Sequence, residues 1–179
     1  MSNLNLTSKK RIILCGRAAS GKDYLRKKLQ QEGYTYEISY TTRPPRTGEV
    51  DGVDYHFITE GKFKEMIAND EWYEYVVFNN WYYGTSRVQF QNTNSIFIMT
   101  PKGLGHVKPE DRTDCLVIYL DIPEDIRRQR ISLRNDADSV ERRIQADKID
   151  FDDFIDYDVH ITNPEFNISD IKTTFTLDI

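Results

Sequence analysis

The segment Gly16-Arg17-Ala18-Ala19-Ser20-Gly21-Lys22-Asp23 has the spacing G-x-x-x-x-G-K, directly after the apolar run Arg11–Cys15 and ahead of a helical pattern. Phosphate chemistry needs this order. Glycines let backbone N–H groups close around phosphate oxygens, a helix N-terminus adds partial positive charge, and a lysine neutralises the phosphoryl group. Residues 16–23 are therefore expected to cradle a polyphosphate, with Lys22 on the group that moves. The residue after the lysine ordinarily brings a hydroxyl to Mg²⁺. Here it is Asp23, which suits either a carboxylate facing the metal or a cap on the following helix.

Three further clusters bear on chemistry. In Ser39-Tyr40-Thr41-Thr42-Arg43-Pro44-Pro45-Arg46 the proline pair favours polyproline II, whose three residues per turn put Arg43 and Arg46 on one edge. Two adjacent guanidiniums make a bidentate clamp for an anion, although the same residues also suit an exposed turn with loose ion pairs. Glu74 interrupts the otherwise apolar run Trp72–Phe78, where a carboxylate without a partner would be costly. Between Arg127 and Arg143 six arginines face three acids, and Ile144–Asp158 then carries six aspartates and one lysine. An arginine-rich segment inside an acidic chain fits a compact anion, or else a solvated helix face.

These side chains need a scaffold, and the pattern supplies one. Buried strands are expected at Arg11–Cys15, Ile96–Met99 and Leu116–Leu120, with further strands at Thr35–Tyr40, Val53–Ile58, Glu71–Phe78, Trp81–Tyr83 and Tyr157–Ile161. Helices are expected at Gly21–Gln31, at Lys62–Ala68, from Pro123 in the first-turn position to about Arg134, from an Asp138/Glu141 capping box onward, and at Ile168–Phe175. Strands alternating with helices imply an α/β fold with a parallel sheet flanked by helices, and Ser39–Thr85 reads as a small β insertion.

The chain has 179 residues, 24 Lys plus Arg and 29 Asp plus Glu, so its net charge is −5. That balance opposes a nucleic-acid binder. No run approaches the roughly 18 apolar residues of a membrane helix, and Met1–Lys10 lacks a signal peptide's apolar stretch. Cys15 and Cys115 are too few for a disulfide framework or a zinc site. The expectation is a cytoplasmic enzyme without nucleic-acid or membrane partners, monomeric or homodimeric. His56, His106 and His160 show no nucleophile–base pattern and are assigned to packing or surface, as is Cys15 to packing.

The stretch Thr41-Thr42-Arg43-Pro44-Pro45-Arg46, continued by Gly48-Glu49-Val50-Asp51-Gly52-Val53-Asp54-Tyr55-His56-Phe57, Glu71-Trp72-Tyr73-Glu74 and Asn80-Trp81-Tyr82-Tyr83-Gly84-Thr85, resembles the signature of the guanylate kinase family. The resemblance continues more weakly through the arginine-rich segment and Tyr157-Asp158…Asn163. It implies a P-loop kinase core over 1–37 and 86–179, a lid at about 124–150, and a mixed-β GMP-binding insertion over 38–85. It also implies transfer of the terminal phosphoryl of ATP to GMP or dGMP, with Mg²⁺. By that similarity Arg43, Arg46, Tyr55 and Tyr83 hold the acceptor phosphate, while Ser39, Glu74 and Thr85 face the guanine. Arg130, Arg134 and Arg143 close over the ATP phosphates and join Lys22 and Arg43 in catalysis. Asn163 matches an asparagine near the adenine, and residues 16–23 hold the ATP phosphates. Arg127, Arg128 and Arg142 are left as solvent or ion-pair residues.

The chemistry of guanine agrees with this carry-over. Its N1–H and N2 amino group are adjacent donors that one carboxylate accepts, whereas adenine presents an acceptor at N1. Two positions depart from the family pattern. Ile98-Met99-Thr100 stands where an Asp-x-Asp is common, and Asp23 follows the loop lysine. Both features are similar to a relative, ribose 1,5-bisphosphate phosphokinase, which stays open as an alternative. So do a broader deoxynucleoside monophosphate kinase and a non-catalytic guanylate-kinase-like interaction module.

Overall fold

The computed structural model describes residues 9–133, 139–169 and 171. Its centre is β1 (Arg11–Gly16), six consecutive buried residues. A strand covered on both faces is apolar through its middle, because successive side chains point to opposite sides, and its one charged residue, Arg11 at the start, is satisfied by donating to Phe90 O. Ile12 and Leu14 accordingly join Leu25, Leu29 and Leu116 in one core layer. Ile13 and Cys15 join Phe97, Val117 and Phe151 in the other.

Five strands form an all-parallel sheet in the order β2 (Thr35–Tyr36), β7 (Ser95–Ile98), β1, β8 (Cys115–Leu120), β9 (Val159–Ile161). Helix α1 (Lys22–Gln31) leaves directly from the loop after β1 and buries Leu25 and Leu29 against the sheet. Helices α6 (Glu124–Ser132) and α7 (Val140–Phe151) follow β8 and return the chain to β9.

A second, four-stranded sheet has the order β4 (His56–Phe57), β3 (Tyr40–Thr41), β6 (Trp81–Ser86), β5 (Trp72–Phe78). The pair β3–β4 is parallel and the others are antiparallel. The β5–β6 hairpin turns on Asn79 and Asn80, both left-handed at φ 50° and 62°, the conformation a tight two-residue hairpin requires. Helix α2 (Glu60–Ala68) covers this sheet, with Phe63 stacked on Trp72 at 4.1 Å between centroids.

Several expectations are corrected. The run Thr35–Tyr40 divides between both sheets as β2 and β3: Glu37 N still donates to Ile96 O of β7 at 3.0 Å, and Tyr40 then pairs with Gly84 of β6 in the second sheet. The run Val53–Ile58 keeps only β4, since Val53 and Asp54 both donate to Val50 O in a turn. Pro123 precedes α6 as its N-cap instead of occupying the first turn. Ser139 caps α7 by accepting from Arg142 N. Asp138, proposed for that role, lies outside the described residues. Three short helices escape the sequence pattern: α3 (Arg87–Gln91), α4 (Pro101–Leu104) and α5 (Pro109–Arg112). Each is too short for helical periodicity to register. Ile168, Ser169 and Ile171 are helical, and the rest of the expected 168–175 helix lies outside the described residues.

Gly84, buried in β6, is where the second sheet is tightest. A Cβ there would meet Trp72 Cε3 at 2.9 Å and Glu74 O at 3.1 Å. Gly84→Ala should therefore cost about 1–3 kcal/mol of unfolding free energy, the usual range for overpacking. Urea denaturation measures it, and an unchanged midpoint would contradict the packing described.

Candidate functional site

A cleft of about 1490 Å³ runs between the end of β1, the second sheet and α7. Its floor is the loop after β1. Ala19 sits at φ 59° and Gly21 at φ 100°, so the chain curls left-handed before α1 begins. Gly16 has no room for a side chain, since a Cβ would lie 2.5 Å from Ser20 Oγ and 2.8 Å from Leu120 O. Ser20 Oγ is itself buried without a hydrogen-bond partner. An orphaned buried hydroxyl is unusual in a protein interior and fits a loop that receives a polar ligand. The Lys22 ammonium donates to the carbonyls of Gly16 and Arg17, holding it against the loop.

The sequence-expected residues distribute unevenly around this cleft. Gly16, Ala18, Ala19, Ser20, Gly21, Lys22 and Asp23 all line it, but the side chain of Arg17 does not. Arg17 turns away and donates to Tyr119 Oη and Asp121 Oδ1, each at 2.7 Å, bracing the loop against β8. Asp23 is 72% exposed, 3.5 Å from Arg26 Nε, and does not cap α1, whose N-cap is Gly21 without a side-chain bond. Arg130 lines the cleft and ties the loop to the β9 connection by donating to Ala19 O at 3.2 Å and Pro164 O at 3.1 Å. Arg143 lines it from the buried side of α7. Arg134 lies outside the described residues. Asn163 is exposed and its Oδ1 accepts from Glu165 N at 2.9 Å, so Pro164, Glu165 and Phe166 reach the cleft in its place.

Across the cleft the second sheet brings together Ser39, Arg43, Arg46, Tyr55, Glu74 and Tyr83. Arg43 is 9% exposed and bonds Glu49 through both terminal nitrogens at 2.9 Å, with Tyr55 and Phe57 rings beneath it. Burial alone would raise the Glu49 carboxyl, but bonds from Arg43 and from the Arg46 backbone outweigh it and hold the pKa below the ordinary value. The Tyr55 ring meets Tyr83 edge-on at 6.1 Å, and burial pushes its phenol up to about 12. Glu49 was no candidate from sequence. Its three-residue spacing from Arg46 was the available signal.

Glu74 is the unusual group. It is 7% exposed, and Thr85 Oγ1 donates to its Oε1 at 2.8 Å. Its other oxygen, Oε2, lies 3.1 Å from where a Cβ of Gly103 would be, beside Thr100. Among the described residues no salt bridge reaches it. Burial raises its pKa to about 7 against the smaller lowering from Thr85. Thr85 does not line the cleft but stands behind the carboxylate and orients it. The pairing shift between Trp72 and Glu74 is what turns this carboxylate to the cleft side of β5.

Two residues of α6 and α7 go beyond the sequence reading. Arg127, left there as a solvent or ion-pair residue, is buried and donates through Nε to Ile122 O at 2.9 Å. Its Nη1 pairs with Asp147 Oδ2 at 3.2 Å. Asp147 also accepts from Ala18 N in the phosphate loop at 2.9 Å. The acidic run 144–158 carried that residue in plain sight, but nothing in its spacing singled it out. Arg128 bridges Glu124 and Glu141 on the exposed side, as an ion-pair residue should.

Comparison with known proteins follows the same lines. The guanylate kinase family model matches residues 8–175. A guanylate kinase of Helicobacter pylori (strain ATCC 700392 / 26695) is 32% identical over 142 residues, covering 74% of this chain and 69% of that protein. The guanylate kinase of Sus scrofa is 32% identical over 154 residues, covering 79% and 76%. A crystal structure of guanylate kinase from Anaplasma phagocytophilum superposes with a TM-score of 0.71 at 20% identity, over 93% of this chain and 82% of that one.

Proposed function

The chain belongs to the guanylate kinase family, and from that premise we propose that its cleft binds ATP on the phosphate loop and GMP or dGMP on the second sheet, and transfers the terminal phosphoryl between them. The observation that carries the acceptor is Glu74: a buried carboxylate, bonded by Thr85 through its hydroxyl and backbone and free of any described ion pair, facing the same cleft as Lys22. Guanine's N1–H and N2–H are the adjacent donors that such a group needs. Ser39, also on the cleft wall, offers a hydroxyl to O6.

The residues divide the work by position. Arg43 and Arg46, with the Tyr55 and Tyr83 hydroxyls, take the phosphate of GMP, and Glu49 fixes the Arg43 fork in one plane. A GMP phosphate oxygen attacks the terminal phosphorus of ATP, the bond to the bridging oxygen breaks, and ADP and GDP result. Charge on the transferring group falls to Lys22, Arg130 and Arg143, and to Arg134 on the family pattern. Magnesium, when bound with ATP, would neutralise phosphate charge. Asp23, exposed at the cleft rim, would offer the metal a carboxylate from the loop after β1, a charge that Ile98 and Thr100 do not bring.

Assay of ADP formation with GMP, dGMP, AMP, dTMP and ribose 1,5-bisphosphate tests the acceptor. GMP should outrun AMP by about three orders of magnitude, because a site built for two donors leaves its carboxylate facing an acceptor. Lys22→Met should cut turnover by about a thousand-fold or more. Equal rates with GMP and AMP, a faster reaction with ribose 1,5-bisphosphate, or no reaction at all would each overturn the reading.

The pH profile tests Glu74 itself. With its pKa raised to about 7, the carboxylate that accepts both guanine donors is complete only above that pH. KM for GMP should therefore be lowest on the alkaline side and climb as pH falls, approaching about ten-fold per unit. Glu74→Gln should lose that slope, keeping only the titration of the phosphate monoester near about pH 6. A wild-type profile that overlays the variant's removes Glu74 from guanine recognition.

For Asp23, the readout is the metal. Asp23→Asn should raise the Mg²⁺ concentration for half activity several-fold while leaving the melting temperature in place, since the side chain caps nothing. An unchanged Mg²⁺ titration discards the metal-facing role.

A further inference from the structure

The phosphate loop holds an anion from its own chain. Asp147 Oδ2 accepts from Ala18 N at 2.9 Å, inside the G-x-x-x-x-G-K segment. The carboxylate is 13% exposed and lines the cleft together with Lys22. Its second partner, Arg127, is 5% exposed and anchored on Ile122 O, so it cannot follow the carboxylate far. The backbone around the contact is fixed by packing: Ala19 of the loop, Ile131 of α6 and Ile144 of α7 share one apolar cluster. Asp147 lies three residues after Ile144, on the side of α7 that meets the loop.

A backbone N–H of such a loop is a donor for phosphate oxygens, and a carboxylate offers it the same kind of acceptor. Two anions cannot share that donor, because like charges in contact repel. We propose that Asp147 is an internal competitor for the phosphate loop: its carboxylate holds the Ala18 amide, ATP takes the loop only by displacing it, and α7 is thereby coupled to nucleotide entry. The proposal rests on the reading of this loop as the ATP site. It also gives Arg127 a function, as the group that retains Asp147 against the loop and sets how readily it leaves. Burial raises the carboxyl's pKa, while the Ala18 N–H and the charges of Lys22, Arg127 and Arg17 oppose that rise, as expected for an anion seated among phosphate-binding groups.

The test uses the whole chain with ATP–Mg²⁺ as probe. Asp147→Asn keeps the volume and an accepting oxygen but removes the charge. Calorimetric titration should show the variant binding ATP at least about five-fold more tightly than the wild type, since one repulsion has gone. In ¹⁵N-labelled protein the Ala18 amide resonance should differ between wild type and variant without nucleotide. It should coincide in the two under saturating ATP, where Asp147 no longer touches it. Equal or weaker ATP binding by the variant overturns the proposal alone, as does an Ala18 difference that survives saturation. Asp147 would then be a brace of the loop. Failure of both proteins to bind ATP overturns the ATP-site reading and the proposal together. Should Asp147→Asn not fold, the paired change Arg127→Met with Asp147→Leu removes both buried charges at once and is read in the same two ways.

Discussion

Everything in this protein is arranged around the close approach of Gly16 to its surroundings. The last residue of β1 lies against Leu120 of β8 and folds Ser20 back over itself, with no space for even one methyl group. That contact keeps the loop tight at the floor of the cleft, where β1 is held by pairing on both sides. Four of its residues pair with β7 and all six with β8. A rigid, fully buried strand thus ends in a loop whose backbone groups are held by bonds from Asp147 and Lys22. Bracing from outside comes from Arg17 on Asp121 and from Arg130 on Ala19 O.

Three carboxylates around the cleft illustrate how environment sets role. Glu49 is surrounded by donors from Arg43 and Arg46, which lower its pKa and make it a structural counter-ion for the clamp. Glu74 has a hydroxyl and little else, so burial dominates and raises it. An acid left this close to neutrality is suited to a ligand that brings donors. Asp147 stands between the two, with an amide on one side and a buried arginine on the other. The same side-chain chemistry is thereby a counter-ion at Glu49, a raised and nearly unpaired acid at Glu74 and an acceptor for the loop after β1 at Asp147.

Much of this was legible in the chain. The glycine and lysine spacing announced a tight turn from β1 into α1, and the continuous apolar runs at Ile12–Cys15, Ile96–Met99 and Leu116–Leu120 announced buried strands. The stretch 41–85 carried the family resemblance, and Glu74 stood out because an unpartnered acid in an apolar run requires an explanation. These signals are local: they reside in residue types a few positions apart, where periodicity and steric rules apply directly.

What the sequence by itself determined, then, is the chemistry available and the class of scaffold that carries it. Which groups face one another was decided only by the tertiary structure. Arg127 and Asp147 are twenty residues apart, Glu74 and Thr85 eleven, and Arg17 and Asp121 more than a hundred. No spacing rule links such pairs, because they meet across separate elements whose approach is set by packing of the whole core. The same reason explains why the ion pair expected as one option for Arg127 could not be known to be buried: helical spacing shows which residues share a face, but only the neighbouring α7 makes that face an interior one.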